Sequence, residues 1–496
     1  MTESVRTLAD ADIADCTPVH VVWEITLACD LKCQHCGSRA GRRRPKELTT
    51  AECLAVIAGL AELGTREVNL IGGEAYLRSD WLELIAAIRG HGMACFIQSG
   101  GRNFTQARLD AAIAAGLMGL GVSIDGVRAT HDRIRGVAGS HDAALGALRR
   151  ARAGGIVTSV NTQIGALSWR ELPAIMDAIL AVGVRSWQLQ LTVAMGNAVD
   201  NDELLLQPHQ LAEVMPLLAD LHARAAARGL DLQAGNNIGF FGPYEQLWRG
   251  PDRGRHHWIG CRAGQNVIAL EADGSVKGCP SLPTARYTGG NVRDAALRDI
   301  WAHAPEIDVI RGRHVDDLWG YCRRCYYAEA CMAGCTWTAD ALLGRPGNNP
   351  YCHHRVIELA KEGLRERIVK REAAPAEPFA IGGFAVITEP IPGSAQSVTT
   401  TTAEPAPALV TLRRPRKPPS PATAAPRRGV DPPTLELCRG CGYFVWQRDA
   451  ACPFCGGDVA ATAATHAASI AAAHAAAASI REILDRVRNP LPTPEA

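Results

Sequence analysis

The sequence predicts an α/β fold built on a parallel sheet, and three observations carry that reading. Between residues 21 and 192, short β-forming segments alternate with helical ones. Capping signals stand before several of the helices. Residue types that carry chemistry gather directly after the strands: Cys29 to Cys36 after the first, Gly72-Gly73-Glu74 after the second and Ser123-Ile124-Asp125 after the fourth. Successive strand–helix units favour right-handed crossovers and a sheet covered by helices. A partial (β/α)6 barrel and a doubly wound sheet both fit, and both place the site on loops at strand C-termini.

The elements follow in order. Residues 1–17 form an N-terminal extension. Val21 to Thr26 reads as an interior strand. Thr49-Thr50-Ala51-Glu52 is a capping box for a helix carrying Leu54, Val56, Ile57 and Leu60, ending near Gly64. Glu67 to Ile71 is the second strand. Asp80 is expected to cap the next helix, and Met93 to Gln98 is the third strand. Thr105 caps a helix through Ala115, followed by the strand Gly119 to Ile124. A helix from about His141 to Ala153 leads to the strand Ile156 to Thr162. Ser168 is expected to open a fifth helix, and Ser186 to Thr192 is the sixth strand.

Bulk numbers exclude several classes. The 52 basic residues nearly balance 51 acidic ones among 496 residues, so no whole-chain field draws the protein to nucleic acid or an anionic membrane. No long uninterrupted apolar run suggests a membrane span, and the polar first residues do not resemble a signal peptide. Of 17 cysteines, all but Cys16, Cys53 and Cys95 fall in tight groups. That distribution favours metal ligands in a reducing cytoplasm over a disulfide framework. Cys53 and Cys95 read as buried structural thiols.

The sharpest feature is Cys29-x3-Cys33-x2-Cys36. Soft sulfur ligands select iron–sulfur, zinc or copper(I). Three thiolates, rather than four, suggest a metal centre with one position open to a reactant. With Gly72-Gly73-Glu74 and Ser123-Ile124-Asp125-Gly126 at the following strand ends, the chain resembles the radical S-adenosylmethionine (SAM) enzymes. The resemblance implies the partial (β/α)6 barrel over residues 18–240. It also implies a [4Fe–4S] cluster on Cys29, Cys33 and Cys36, whose free iron takes the amino and carboxylate groups of SAM. Reductive cleavage then yields a 5′-deoxyadenosyl radical. The glycines let backbone approach the methionine amine, and Glu74 fixes that cation. Ala75 replaces the proline common in the family. His35 stands at the usually aromatic position beside adenine, and Ser123 and Asp125 at positions near ribose and methionine. Gln98, Asn161, Gln163, Gln188 and Gln190 should face the interior or mouth, where polar groups need partners, with Gln188 and Gln190 as cofactor contacts. Gly196-Asn197-Ala198 fits a turn near the cofactor.

Residues 241–365 carry Cys261, Cys279, Cys322, Cys325, Cys331, Cys335 and Cys352. This set resembles the SPASM extension of peptide-modifying radical enzymes. The likeness implies an auxiliary cluster on Cys261, Cys279 and Cys335 and a second on Cys322, Cys325, Cys331 and Cys352, giving three [4Fe–4S] clusters in all. Arg255 stands where some relatives add a cysteine, so the first auxiliary cluster has three thiolates and an open site. Asp273-Gly274 predicts the turn of a hairpin. Composition then shifts to a Pro/Ala/Arg-rich linker over 366–433, including Arg413 to Pro419, with Gly383 to Thr388 a candidate edge strand. Cys438-x2-Cys441-x10-Cys452-x2-Cys455 predicts a zinc-ribbon-like module over 434–460, holding Zn2+. Residues 461–496 form an alanine-rich helical tail.

The function implied is modification of a ribosomally made precursor peptide by hydrogen abstraction, ending in a crosslink or another oxidised product. Auxiliary clusters suit reactions in which a second electron must leave. Expected partners are a separate leader-binding carrier protein and a low-potential electron donor such as flavodoxin or ferredoxin. Oxidation of an aminocyclitol or sugar-type small molecule, maturation of a sulfatase, and a metal-bound scaffold without activity are the alternatives.

Overall fold

In the computed structural model, residues 6–249, 257–392, 434–438 and 440–459 are described. Six parallel strands stand where the sequence places them: β1 (His20–Thr26), β2 (Glu67–Gly72), β3 (Ala94–Ser99), β4 (Gly119–Ser123), β5 (Val157–Ile164) and β6 (Ser186–Leu191). A seventh, β7 (Asp231–Ala234), pairs parallel to β6 after the helix Leu211–Ala227. Helices cover the outer face, and Trp23, Leu70, Ile97, Val122, Val160 and Trp187 fill the layer between. Cys53 and Cys95 lie fully within that core.

The sheet does not stop at the barrel. β8 (Val267–Leu270) pairs parallel to β1, β9 (Ser275–Lys277) returns antiparallel, and β10 (Thr288–Asn291) pairs with β9. The result is one mixed sheet of ten strands, β10-β9-β8-β1-β2-β3-β4-β5-β6-β7, resembling a partial barrel. Its end strands are not paired to each other among the described residues. Asp273-Gly274 forms the predicted turn, with Gly274 at φ +90°.

Local rules hold unevenly. Thr49 accepts from Glu52 N and Thr105 from Arg108 N, as expected of caps. Asp80 does not cap its helix: its carboxylate is held by Arg78 Nε at 2.6 Å and Thr50 Oγ1 at 2.6 Å. Ser168 makes no cap bond either; a single 3-10 turn precedes the helix Leu172–Ala181. The stretch read as a linker from residue 366 begins with structure: β11 (Leu364–Glu372) pairs antiparallel with β12 (Gly383–Pro390). Gly383 to Thr388 is thus a strand, paired to β11 rather than added to the main sheet. Between them, residues 373–382 strap across the strand ends. Phe379 N donates to Gly37 O at 3.0 Å, and Gly196 N donates to Ala380 O at 2.8 Å. The rest of the linker, with Arg413 to Pro419, and the tail from residue 460 lie outside the described residues. No helix among the described residues is long and apolar enough to cross a membrane.

Candidate functional site

β1 delivers the cysteine loop at its C-terminal end, and three neighbours hold the loop. Cys29 N donates to Gly41 O at 3.2 Å, closing the loop on itself. Lys32 N and Gln34 N donate to Arg135 O and Ile134 O at 3.1 and 2.8 Å. From beyond β6, Asn197 Nδ2 donates to Cys33 O at 2.9 Å, and Asn197 N donates to Cys36 O at 3.0 Å. Gly196 has φ +57°, and a Cβ there would lie 2.4 Å from Gly37 O, so only glycine lets that turn close on the loop.

The second strand end presses on the same loop. Gly73 N donates to Thr26 O at 2.9 Å, and Glu74 N donates to Ala28 O at 2.7 Å. A Cβ on Gly73 would sit 2.1 Å from Ala28 O and 2.7 Å from Cys29 Cβ. The Glu74 carboxylate is buried and accepts from Ser99 Oγ and Gly100 N, both at 2.6 Å. Burial pushes its pKa up to about 7 against those two donors, and no ion pair reaches it among the described residues. A buried carboxylate without a cation is costly unless a ligand supplies one. Cys29, Asp30 and Glu74 offer ligand atoms within 4.8 Å of one another. Both carboxylates are already bonded, however, Asp30 to Tyr76 Oη at 3.1 Å.

Asp125 is more enclosed than its motif suggests. One oxygen accepts from Gln163 N at 2.9 Å, and the other lies 3.2 Å from His35 Nε2 and 2.5 Å from Arg135 Nη2. Burial pushes this carboxyl up, but Arg135 and His35 outweigh it and hold it well below the usual range. His35 is therefore anchored to Asp125 while lining a cleft with Gln163, Gly165, Ser168 and Thr192. Arg135, which sequence reasoning missed, also donates to Cys33 Sγ at 3.6 Å. Burial raises the Cys33 thiol to about 11, and the guanidinium opposes that rise. Only its place ten residues past Asp125 pointed to it.

The register sets Ser123, Asn161, Gln188 and Gln233 side by side on adjacent strands, with Gln163 beside Gln190. Trp187, Leu189 and Leu191 are buried while Gln188 and Gln190 are only partly so. Gln98 Nε2 reaches Ser123 Oγ at 3.5 Å, a long contact. These residues share a face; among the described residues neither Gln188 nor Gln190 has a side-chain hydrogen bond to the cysteine loop.

The seven downstream thiols fall into two electrostatic neighbourhoods. Burial raises Cys335 to about 12, reinforced by Cys261 and Cys279. Burial likewise raises Cys331 well above its usual value, reinforced by Cys352, Cys322 and Cys325. The last four cysteines are different. Cys438 and Cys455 sulfurs are 3.5 Å apart and Cys441 and Cys452 3.7 Å apart, with all four within 4.8 Å. Thiolates about 2.3 Å from one tetrahedral ion sit roughly 3.8 Å apart, so this set fits a single ion. Among the described residues, Cys29, Cys33 and Cys36 form no such compact group. Their spread, with soft donors only, fits a multinuclear cluster.

The four-cysteine module is docked, not tethered. β13 (Leu435–Leu437) and β14 (Phe444–Trp446) form a hairpin packed on Phe240, Phe241, Trp258 and Tyr327. Tyr327 Oη donates to Phe444 O at 2.6 Å, and Trp446 Nε1 donates to Tyr326 O at 3.0 Å. Phe454 stacks on Tyr443 with ring centroids 4.5 Å apart. Tyr326 and Tyr327 lie between Cys325 and Cys331, so the module sits on the loop that joins these two cysteines.

Residues 23–179 match the Radical SAM superfamily, and residues 261–326 match the iron–sulfur cluster-binding SPASM domain. Over 357 residues the chain is 29% identical to Fe-coproporphyrin III synthase of Methanosarcina barkeri, covering 67% of this chain and 87% of that protein. It is 27% identical over 339 residues to mycofactocin maturase MftC of Mycolicibacterium smegmatis, covering 68% and 82%. Among solved structures, Streptococcus suis SuiB bound to its precursor peptide SuiA superposes with TM-score 0.52 at 15% identity, over 68% of this chain and 77% of that one. Native anSMEcpe with bound AdoMet superposes with TM-score 0.54 at 15% identity, over 70% and 97%. At these identities the structural likeness is one of fold.

Proposed function

We propose that this chain, a radical SAM/SPASM oxidoreductase by its two domains, modifies a ribosomally made peptide and leaves a crosslinked or otherwise oxidised product. The observation that carries the reading is that the cysteine-rich extension shares a sheet with the cysteine loop: β8 pairs directly with β1. A substrate at the strand ends then lies on the same sheet as β8 and β9, the strands between Cys261 and Cys279. MftC is by name a maturase, which supports the peptide class.

The residues fit the groups implied. Cys29, Cys33 and Cys36 would hold the SAM cluster, Cys261, Cys279 and Cys335 a three-thiolate auxiliary cluster, and Cys322, Cys325, Cys331 and Cys352 a second. Cys438, Cys441, Cys452 and Cys455 would hold Zn2+. When bound, these groups supply hydrogen-atom abstraction and a path for the second electron of an oxidation. The chain does the placing. Gly73 lets backbone close on the loop, and buried Glu74 offers its uncompensated charge to an ammonium. Asn197 and Arg135 fix the loop, His35 lines the cleft beside it, and Ser123, Gln188 and Gln190 are the proposed cofactor contacts on the neighbouring strands. A low-potential donor and a carrier protein complete the system in a reducing cytoplasm.

The test is anaerobic reaction with short peptides encoded beside the gene, read by mass spectrometry. Loss of two hydrogens supports the proposal; an oxidised small molecule with unchanged peptides contradicts it. A second reading, oxidation of a small molecule, is favoured by the similarity to Fe-coproporphyrin III synthase at 29% identity and to pre-heme d1 synthase of Dinoroseobacter shibae at 27%, beside 27% for MftC.

A further inference from the structure

Four arginines, Arg39, Arg42, Arg43 and Arg44, follow the cysteine loop and line one cavity of about 460 Å³ with Asp273 and Pro378. Its walls come from three elements: the loop after β1, the β8–β9 turn and the strap between β11 and β12. It lies at the same strand ends as the cysteines, since Gly41 N donates to Leu27 O and Cys29 N to Gly41 O.

The four cations are not equivalent. Arg39 is bound to Asn197 at 2.8 Å and to Asp200 at 2.5 Å. Arg44 is bound to Glu24 at 2.5 Å and lies 3.3 Å from Glu271. Both are therefore structural. Arg43 gives one donor to Leu77 O at 3.1 Å, and its remaining donors have no partner among the described residues. Arg42 is exposed and has no hydrogen bond or ion pair among the described residues. Asp273 partly offsets the charge, and one of its oxygens accepts from Ser275 N at 3.1 Å. The excess is two guanidinium groups facing a ligand-sized space, a geometry matched to bidentate carboxylates.

We infer that this cavity is a carboxylate-binding site in which Arg42 and Arg43 hold an acidic segment of the substrate. Its occupant is a peptide only insofar as the peptide reading above holds. The carboxylates come either from Asp and Glu side chains or from a free C-terminus.

The test is fluorescence anisotropy on the full-length, cluster-loaded protein with a neutral-dye-labelled hexaglutamate peptide, its C-terminal amide and a hexaglutamine control, with citrate as competitor. Binding of hexaglutamate that weakens at least tenfold in R42A/R43A and with rising salt, with only partial recovery in R42K/R43K, which keeps the charge but not the bidentate fork, supports the site. Equal loss for the amide assigns the C-terminal carboxylate; no loss assigns side chains. R413A/R414A should bind like the parent. Equal affinity of parent and R42A/R43A, with iron content and circular dichroism unchanged, or loss only in R413A/R414A, overturns the site. Displaceable citrate binding that requires Arg42 and Arg43, with no peptide bound, keeps the site and removes the peptide occupant.

Discussion

Trp446→Ala tests whether the four-cysteine module guards the set proposed at Cys322, Cys325, Cys331 and Cys352. Trp446 is 1% exposed and packs with Phe444, Leu435 and Leu437 against the surface carrying Tyr326 and Tyr327. Truncating a buried tryptophan costs about 3–5 kcal/mol, here including the Nε1 bond to Tyr326 O. The module has two strands of three residues each and a small core of its own, Cys438, Val445, Cys452 and Val459. Docking contributes much of its order, so a loss of this size should undock it. At about 1.4 kcal/mol per tenfold, the opening equilibrium rises roughly 10²- to 4 × 10³-fold. Hydrogen–deuterium exchange should accelerate by that factor in residues 434–459 and also in 320–331, the loop bearing Cys322, Cys325 and Cys331. Iron bound per chain should then fall on exposure to air. Faster exchange in the module with 320–331 unchanged would refute the coupling.

Other consequences follow from the same contacts. Gly73→Ala places a methyl 2.1 Å from Ala28 O, and one cluster's worth of iron should be lost with the other ligand sets intact, as read by iron analysis and absorbance. Arg135→Met removes the cation 3.6 Å from Cys33 Sγ; the first cluster's reduction potential should fall by on the order of tens of millivolts in a redox titration, with Arg135→Lys partly restoring it. His131 is held down to about 3 by burial and then by Arg135, while its Nδ1 accepts from Asp125 N at 3.1 Å. The unfolded chain takes up this proton below about 6.5 and the folded chain does not until about 3. Stability present above that window is therefore lost as pH falls through it, by up to about 1.4 kcal/mol per pH unit. Denaturant midpoints at pH 7 and 5 should differ less in His131→Asn.

How much was legible varies with how local the cause is. Strands β1 to β6 and the helices opened by Thr49 and Thr105 were readable because period and cap chemistry are written within a few residues. β7 was not, since only Leu232 of its four residues is buried. The pairing of β8 with β1 joins residues some 250 positions apart, and nothing in either strand names its partner. Asp80 looked like a cap, but the neighbouring Arg78, itself bonded to Ile25 O and Leu48 O, competes for the carboxylate. The strap over 373–382 carries Ala, Pro and Glu, the composition of a linker, and its order comes from the backbone bonds it finds at Gly37 and Gly196. The spacing of Cys438, Cys441, Cys452 and Cys455 pointed to the compact group they form; the burial of Asp125 by Arg135 and His35 had no such sign.

The account rests on a cluster at Cys29, Cys33 and Cys36 that meets SAM beside Glu74. Electron paramagnetic resonance of the reduced protein, with the auxiliary cysteines replaced by alanine, measures this most directly. A low-potential iron–sulfur signal whose shape changes on adding SAM, and a weaker change in Glu74→Gln, is the predicted result. A protein that carries only zinc there, or a signal indifferent to SAM, would contradict it.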